Sequence, residues 1–420
     1  LMIIIGKISI IGRLETLRCT MSLGLQDTEG VIINTGNKRV TFNTNTRRKA
    51  FNDKISELET EAENAEIDRQ EDIFTEIDSL KDQVYEASEA VLNFNNLNLS
   101  LIEISHRSKD FVAVMDNAVA LVKELLEVPV GYSVLFLQGG ASTQFLMSAM
   151  NLLKTNGKAA YLNTGTWSDK AIKEAKKFGE VDVLASSKDK NYSYIPKDYV
   201  VGTGFDYLHF TSNNTIFGTQ YQEFPKVSGN TLLVCDMSSD IFSRKIDTSK
   251  FDLIYAGAQK NMGPAGATLV IVKDEILNKT GRSIPTMLDY STHIAKESMF
   301  NTPPVFPIYV SMLTLEWLKK NGGIEWIEEQ NNAKAALLYN EIDTNPNFRG
   351  VAAIEDRSKM NVTFVLTDES KQSAFDKLWN DAGINGLKGH RSVGGYRASI
   401  YNALPLKSVQ VLVNIMQKLA

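Results

Sequence analysis

The chain predicts an α/β fold on three observations. Short apolar segments recur near residues 134, 160, 181, 207, 232, 252 and 268, with helix-length stretches between them, the spacing of strands joined by crossovers in a mostly parallel sheet. Several segments end in small or polar residues, as at Gln138-Gly139-Gly140, Asn163-Thr164-Gly165 and Asp236-Met237-Ser238, at the strand ends where open α/β sheets bind ligands. Beyond about residue 329 the pattern changes to a helix over 328–340, a strand over 360–366, a helix over 372–382, the segment 390–402 and a closing helix from 406, which reads as a smaller α+β domain. The expected divisions are 1–50, unassigned; 51–83, acidic and helical; 84–328, the large ligand-binding domain; and 329–420, the small C-terminal domain.

The first 83 residues read differently from the rest. Met2-Ile3-Ile4-Ile5-Gly6-Lys7-Ile8-Ser9-Ile10-Ile11 is too short and interrupted to span a membrane and lacks a cleavage pattern. Val31 to Phe42 predicts a hairpin turning at Thr35 to Lys38, followed by the basic cluster Arg47-Arg48-Lys49. A small nucleic-acid module is the alternative there, opposed by the acidic stretch that adjoins it. From Asp53 to Asp82 twelve acidic residues face Lys54, Arg69 and Lys81, a local charge of −9 that leaves +4 elsewhere in a net −5. Ile55, Leu58 and Ala62, then Ile73, Ile77, Leu80 and Val84, recur at steps of three and four, which predicts an amphipathic helix or helical hairpin with a solvated acidic face.

Composition sets outer bounds. With 420 residues, 43% of them apolar, the chain can bury large cores. Cys19 and Cys235 give no disulfide framework, so a reduced, cytoplasmic setting is expected. No Cys/His cluster has metal-ligand spacing, no apolar run is long enough for a membrane helix, and the negative charge gives no general affinity for nucleic acid.

The candidate site then assembles in chain order. Val134 to Phe145 reads as a strand, a Gly-rich turn and a helix start, a setting that favours phosphate. Tyr161 to Trp167 ends a strand with an indole able to stack on a flat heterocycle. His209 to Thr215 closes a short strand with hydrogen-bonding residues, among them Thr215. Leu232 to Asp236 places a carboxylate at a strand's carboxyl end, where burial calls for a cationic partner. Leu253-Ile254-Tyr255 and Ala267 to Val272 are strands flanking Gly257-Ala258-Gln259-Lys260-Asn261-Met262-Gly263-Pro264-Ala265-Gly266. A lysine on such a link, shielded from water and near other cations, loses proton affinity and becomes an amine that attacks carbonyls. Taken together, an aspartate for a protonated pyridine nitrogen and a lysine for an aldehyde suit pyridoxal 5'-phosphate.

Basic residues complete the reading. Two of the four histidines, His106 and His390, directly precede Arg107 and Arg391, and each such pair offers a fork and a second donor to a doubly charged anion. Arg397, past Gly394-Gly395, is placed for a separate carboxylate. A substrate with phosphate at one end and carboxylate at the other fits this arrangement.

Four segments carry a family resemblance: Glu103-Ile104-Ser105-His106-Arg107-Ser108-Lys109, the Lys260 run, Phe300-Asn301-Thr302-Pro303-Pro304 and His390 to Asn402. From about Tyr85 to the C-terminus the chain resembles the phosphoserine aminotransferases, class V enzymes of fold-type I. The resemblance implies a fold-type I architecture in which Lys260 holds the cofactor as an imine and acts as base, Asp236 pairs with the pyridine nitrogen and Trp167 stacks on the ring. It implies that Ala141, Ser142, Thr215 and Gln259 hold the cofactor phosphate and hydroxyl, and that Asn301 and Thr302 reach a neighbouring subunit's cofactor in a homodimer with shared sites. For substrate it implies His106, Arg107, His390 and Arg391 at the phosphate or the glutamate side-chain carboxylate, and Arg397 at the α-carboxylate. The implied reaction exchanges the amino group of L-glutamate with 3-phosphohydroxypyruvate, giving O-phospho-L-serine and 2-oxoglutarate, with the phosphorylated 2-oxo acid of pyridoxine biosynthesis as a further substrate.

The family also opens with a short Asn-Phe-Ser-Ala-Gly-Pro motif, and where it should lie stands Gln70-Glu71-Asp72-Ile73-Phe74-Thr75-Glu76. Residues 1–83 therefore read as a fusion, or as a chimera or misassembled frame joined to a truncated enzyme. Two alternatives stay open: a cofactor-binding but impaired homologue with a regulatory or artefactual N-terminus, and a class V enzyme for another anionic 2-oxo acid.

Overall fold

The computed structural model describes residues 82–391 and 393–419 together with the strands β1 (Val31–Thr35) and β2 (Lys38–Phe42). The acidic segment over 53–81 and the basic cluster at 47–49 lie outside the described residues. What is described falls into two compact units, one up to residue 103 and one from residue 104 onward.

In the first unit β1 pairs antiparallel with β2, with Thr35 opposite Lys38, which is the hairpin expected with its turn at Thr35 to Lys38. A helix, α1, covers 82–92 and leads into a single 3-10 turn, Phe94–Asn96.

The second unit begins with α2 (Lys109–Leu125), capped by Ser108 Oγ accepting from the Phe111 amide. A seven-stranded sheet comes next, in the order β3-β9-β8-β7-β6-β4-β5. Its strands are β3 (Tyr132–Leu137), β4 (Lys158–Asn163), β5 (Glu180–Ser186), β6 (Tyr207–Thr211), β7 (Leu232–Asp236), β8 (Leu253–Gly257) and β9 (Thr268–Lys273). Pairings from β5 through β8 are parallel and β9 runs antiparallel to both neighbours, so the sheet is mostly parallel, as the seven apolar segments predict. Crossover helices α3 (Gly140–Leu152) and α4 (Thr166–Ala175) cover it, and Phe145, Ala149, Leu152, Ala171 and Ile172 pack on Tyr161, Tyr207, Val234 and Tyr255. Burying both faces explains why these strands read as mostly apolar runs, except the edge strand β5, none of whose residues is fully buried.

After the short α5 (Tyr290–Ile294) come α6 (Val305–Lys320) and α7 (Gly323–Thr344). Asn117 and Glu124 on α2 meet Glu316 and Lys319 on α6 at 2.6 and 2.7 Å. The chain ends in an antiparallel three-stranded sheet, β10 (Phe348–Gly350), β11 (Asn361–Leu366) and β12 (Tyr396–Ser399), with α8 (Gln372–Asp381) and α9 (Leu406–Gln417). Its core joins Leu338, Phe348, Phe364, Phe375, Tyr396 and Leu412. No helix among the described residues is long and apolar enough to cross a membrane.

Candidate active site

Five strands deliver the candidate residues to one edge. β3 ends at Gly139 and Gly140, at φ of +92° and +65°, and a Cβ on Gly139 would lie 2.1 Å from Thr143 Oγ1, so only glycine allows this turn into α3. Ala141 is half-buried and Ser142 exposed in the first turn of α3. β4 leads through Thr164 and Gly165 to Trp167, in the first turn of α4; the Asn214 amide packs where a Cβ on Gly165 would sit, 2.2 Å from it. β6 continues into buried Asn213, Asn214 and Thr215, and β7 ends on buried Asp236. After β8 the amides of Met262 and Gly263 both donate to the Ala258 carbonyl, at 3.1 and 2.8 Å, while Ala258 N–H meets the Ala267 carbonyl at 3.0 Å. The link coils around Ala258 and carries Gln259 and Lys260 at its start.

Lys260 Nζ lies 2.6 Å from Thr215 Oγ1 and 5.8 Å from the centre of the Trp167 ring. Arg397, from β12, donates through Nη1 to the Thr215 carbonyl at 3.3 Å. Asp236 Oδ1 accepts the Ser238 amide at 2.9 Å. The structure thus brings Trp167, Thr215, Asp236, Lys260 and Arg397 into one cluster at the carboxyl edge of the sheet.

The electrostatics make the lysine reactive. Burial lowers the Lys260 amine to about 8, with the Arg397 charge working the same way and Asp236 and Asp240 opposing it. Such an amine holds on the order of 300-fold more neutral form at pH 7 than an ordinary lysine. Asp236 is pushed up by burial, against the Ser238 bonds and the Lys260 charge. A buried carboxylate in that condition gains from a cation placed against it. The donor set fits pyridoxal phosphate: a neutral-prone amine for the aldehyde, a carboxylate for the ring nitrogen, an indole face for the ring, and a helix start with a hydroxyl for the phosphate.

Comparison with known proteins decides the family. Residues 79–412 match the aminotransferase class-V family. The chain is 66% identical over 342 residues to the phosphoserine aminotransferase of Flavobacterium johnsoniae, covering 81% of this chain and 96% of that protein. The chain belongs to the phosphoserine aminotransferase family. The enzyme of Parabacteroides distasonis is 61% identical over 331 residues, 78% of this chain and 92% of its own length. Among solved structures, the phosphoserine aminotransferase of Bacillus circulans subsp. alkalophilus superposes with a TM-score of 0.77 at 44% identity, covering 80% of this chain and 94% of that one. A pyridoxal phosphate-bound phosphoserine aminotransferase from Trichomonas vaginalis does so at 0.76 and 34%, covering 80% and 96%. The fold is therefore that of the fold-type I aminotransferases, and residues 1–78 lie outside the family match.

The other expected residues of this phosphoserine aminotransferase-family chain stand on separate segments. Gln259 folds back over Gly257, where a Cβ would meet its Oε1 at 2.5 Å. Asn301 and Thr302 are exposed, and the Thr302 carbonyl accepts from Gln138 Nε2 at 2.7 Å. His106 is half-buried beside exposed Arg107, and burial, then the Arg107 charge, lowers its imidazole. His390 and Arg391 are exposed at a loop tip closed by Gly389 N–H to the Gly395 carbonyl at 2.8 Å. Asp240 escaped the sequence reading. This second buried carboxylate accepts from Ser212 Oγ and from Gln220 Nε2 at 3.1 Å, with Arg244 at 3.6 Å. The signal was there: an acid four residues after Asp236 and four before Arg244.

Proposed function

We propose that the chain is a transaminase of the phosphoserine type, moving the amino group of L-glutamate to 3-phosphohydroxypyruvate and yielding O-phospho-L-serine and 2-oxoglutarate. The observation that carries this is the Lys260 amine at the sheet edge, 2.6 Å from Thr215 Oγ1 and 5.8 Å from the Trp167 ring centre, in a chain 66% identical over 342 residues to a phosphoserine aminotransferase. When bound, pyridoxal phosphate supplies an aldehyde that links to amines and a ring that accepts electrons from the substrate α-carbon.

In this reading Lys260 Nζ would hold the aldehyde and, when free of it, would accept the proton from the α-carbon of glutamate and, in the second half of the exchange, donate a proton to the α-carbon of the product. Asp236 keeps the ring nitrogen protonated, Trp167 stacks on the ring, and Ala141, Ser142, Thr215 and Gln259 hold phosphate and hydroxyl. Arg397 clamps the α-carboxylate. His106, Arg107, His390 and Arg391 take the distal phosphate or carboxylate, where two cationic pairs match a doubly charged group. Asn301 and Thr302 would reach a neighbouring subunit's site in a homodimer, a reading that their exposure supports. The cytoplasm is the compartment in this proposal, in keeping with Cys235, a buried thiol raised by burial.

The test reconstitutes the protein with pyridoxal phosphate and adds L-glutamate alone, following the cofactor absorbance. Conversion to the amine form of the cofactor, then reversal by 3-phosphohydroxypyruvate, supports the assignment. An absorbance that glutamate leaves unchanged refutes it.

A further inference from the structure

Behind the lysine lies a buried amide network for which the reaction as described has no use. Asn261, the residue after Lys260, accepts the Asn402 backbone N–H through Oδ1 at 3.0 Å and donates through Nδ2 to the Ile241 carbonyl at 3.1 Å. Asn402 donates through Nδ2 to the Phe242 carbonyl at 2.8 Å and accepts from Asn331 Nδ2 at 2.9 Å. Asn331 also reaches the Ser243 carbonyl at 3.0 Å. Lys334 Nζ, one α-helical turn further along α7, holds the carbonyls of Tyr401 and Asn402 at 2.8 and 3.3 Å. None of Asn261, Asn331, Lys334 and Asn402 is more than 6% exposed.

Three parts of the site converge on this network: the link bearing Lys260, the turn after Asp236, and the chain leaving β12 five residues past Arg397. Phe242 is held at a φ of +58°, a left-handed conformation that is strained for a residue with a Cβ, and it presents its carbonyl to Asn402. We infer that Asn402 is a positioning residue for the reaction: it fastens the exit of the Arg397 strand to the residue that follows Lys260 and so fixes the spacing between the amine and the carboxylate clamp. The inference rests on the reading of Arg397 as the clamp for the α-carboxylate of an amino or 2-oxo acid. Each of the three amides bonds to another segment rather than to its own.

The test is a double-mutant cycle on the pyridoxal phosphate-loaded enzyme, with Asn402→Ala and Arg397→Ala separately and together, read as KM for L-glutamate and as the spectroscopic midpoint at which the lysine–cofactor link loses its proton. Asn402→Ala is expected to raise KM roughly tenfold with a smaller change in kcat, to move the midpoint upward as the Arg397 charge recedes, and to add nothing in the Arg397→Ala background. Equal effects in both backgrounds mean a merely structural role and overturn the inference, as does an unchanged KM in a folded Asn402→Ala protein. If Arg397→Ala itself leaves glutamate binding intact, the clamp reading fails and this inference goes with it. Should Asn402→Ala not fold, Asn331→Ala removes the Asn402 contact from the other side and is held to the same outcomes.

Discussion

The Lys260 cluster and the His390–Arg391 loop are built on opposite terms. Around Lys260 the donors and acceptors are fixed in advance: Thr215 and Asp236 are buried, and the amine already sits 2.6 Å from a hydroxyl. His390 and Arg391 are exposed on a tip that includes Gly394 and Gly395 at φ of +74° and +56°. Its order comes from the base. Asp376 takes Lys388 at 3.0 Å before the loop and the Tyr396 hydroxyl at 3.0 Å after it. In the proposed roles, chemistry falls to a mostly buried cluster where electrostatics are strong, and distal recognition to exposed cations that water and salt weaken.

The contrast breaks first at Lys260. Lys260→Ala removes both anchor and base, and transamination should fall by about 10^4-fold or more; single-turnover absorbance with glutamate measures it, and turnover near the parent rate ends the assignment. Next comes the amine itself. Because it is lowered to about 8, its neutral, reactive form grows as pH rises through that value and levels off above it. Cofactor-free protein should therefore react with an aldehyde probe at half its maximal rate near pH 8, where an ordinary lysine would still be gaining above about pH 10. Arg397→Ala should cost about 2.5 kcal/mol in kcat/KM for glutamate, roughly 70-fold, as for truncating one partner of a partly buried charge pair. Arg391→Ala sharpens the comparison from the exposed side: a loss of about tenfold, felt by the phosphorylated acid and, through its side-chain carboxylate, by glutamate, and shrinking at high salt. Equal losses for Arg391→Ala and Arg397→Ala would erase the distinction between the two regions.

Much of this was legible in the sequence, for local reasons. Each strand of the large sheet except the edge strand β5 is a short, mostly apolar run, and the hairpin at Thr35 and Lys38 follows from two short strand-like segments about a Gly-Asn turn. Lys260, Asp236 and Arg397 stood out by residue type and context. Their meeting did not, since Thr215 reaches Lys260 across 45 positions and Arg397 across 182, separations that no periodicity reports. α6 was not singled out: ten of its sixteen residues are buried, which erases the amphipathic period. β10 has three residues, too few for a pattern. Asn261, Asn331 and Asn402 give no signal, because an amide satisfied in a core looks, in sequence, like one facing water.

The antiparallel placement of β9 gives the lysine a history as well as a position. Lys260 lies on a link between sheet neighbours, closed by Ala258 and Ala267, so its frame depends on contacts between residues near in sequence, the kind that form early in folding. Arg397 arrives through a contact 182 positions away and waits for the C-terminal sheet. The local frame of Lys260 is therefore expected to form before the carboxylate clamp, and refolding should show reaction of the lysine with an aldehyde returning ahead of glutamate recognition.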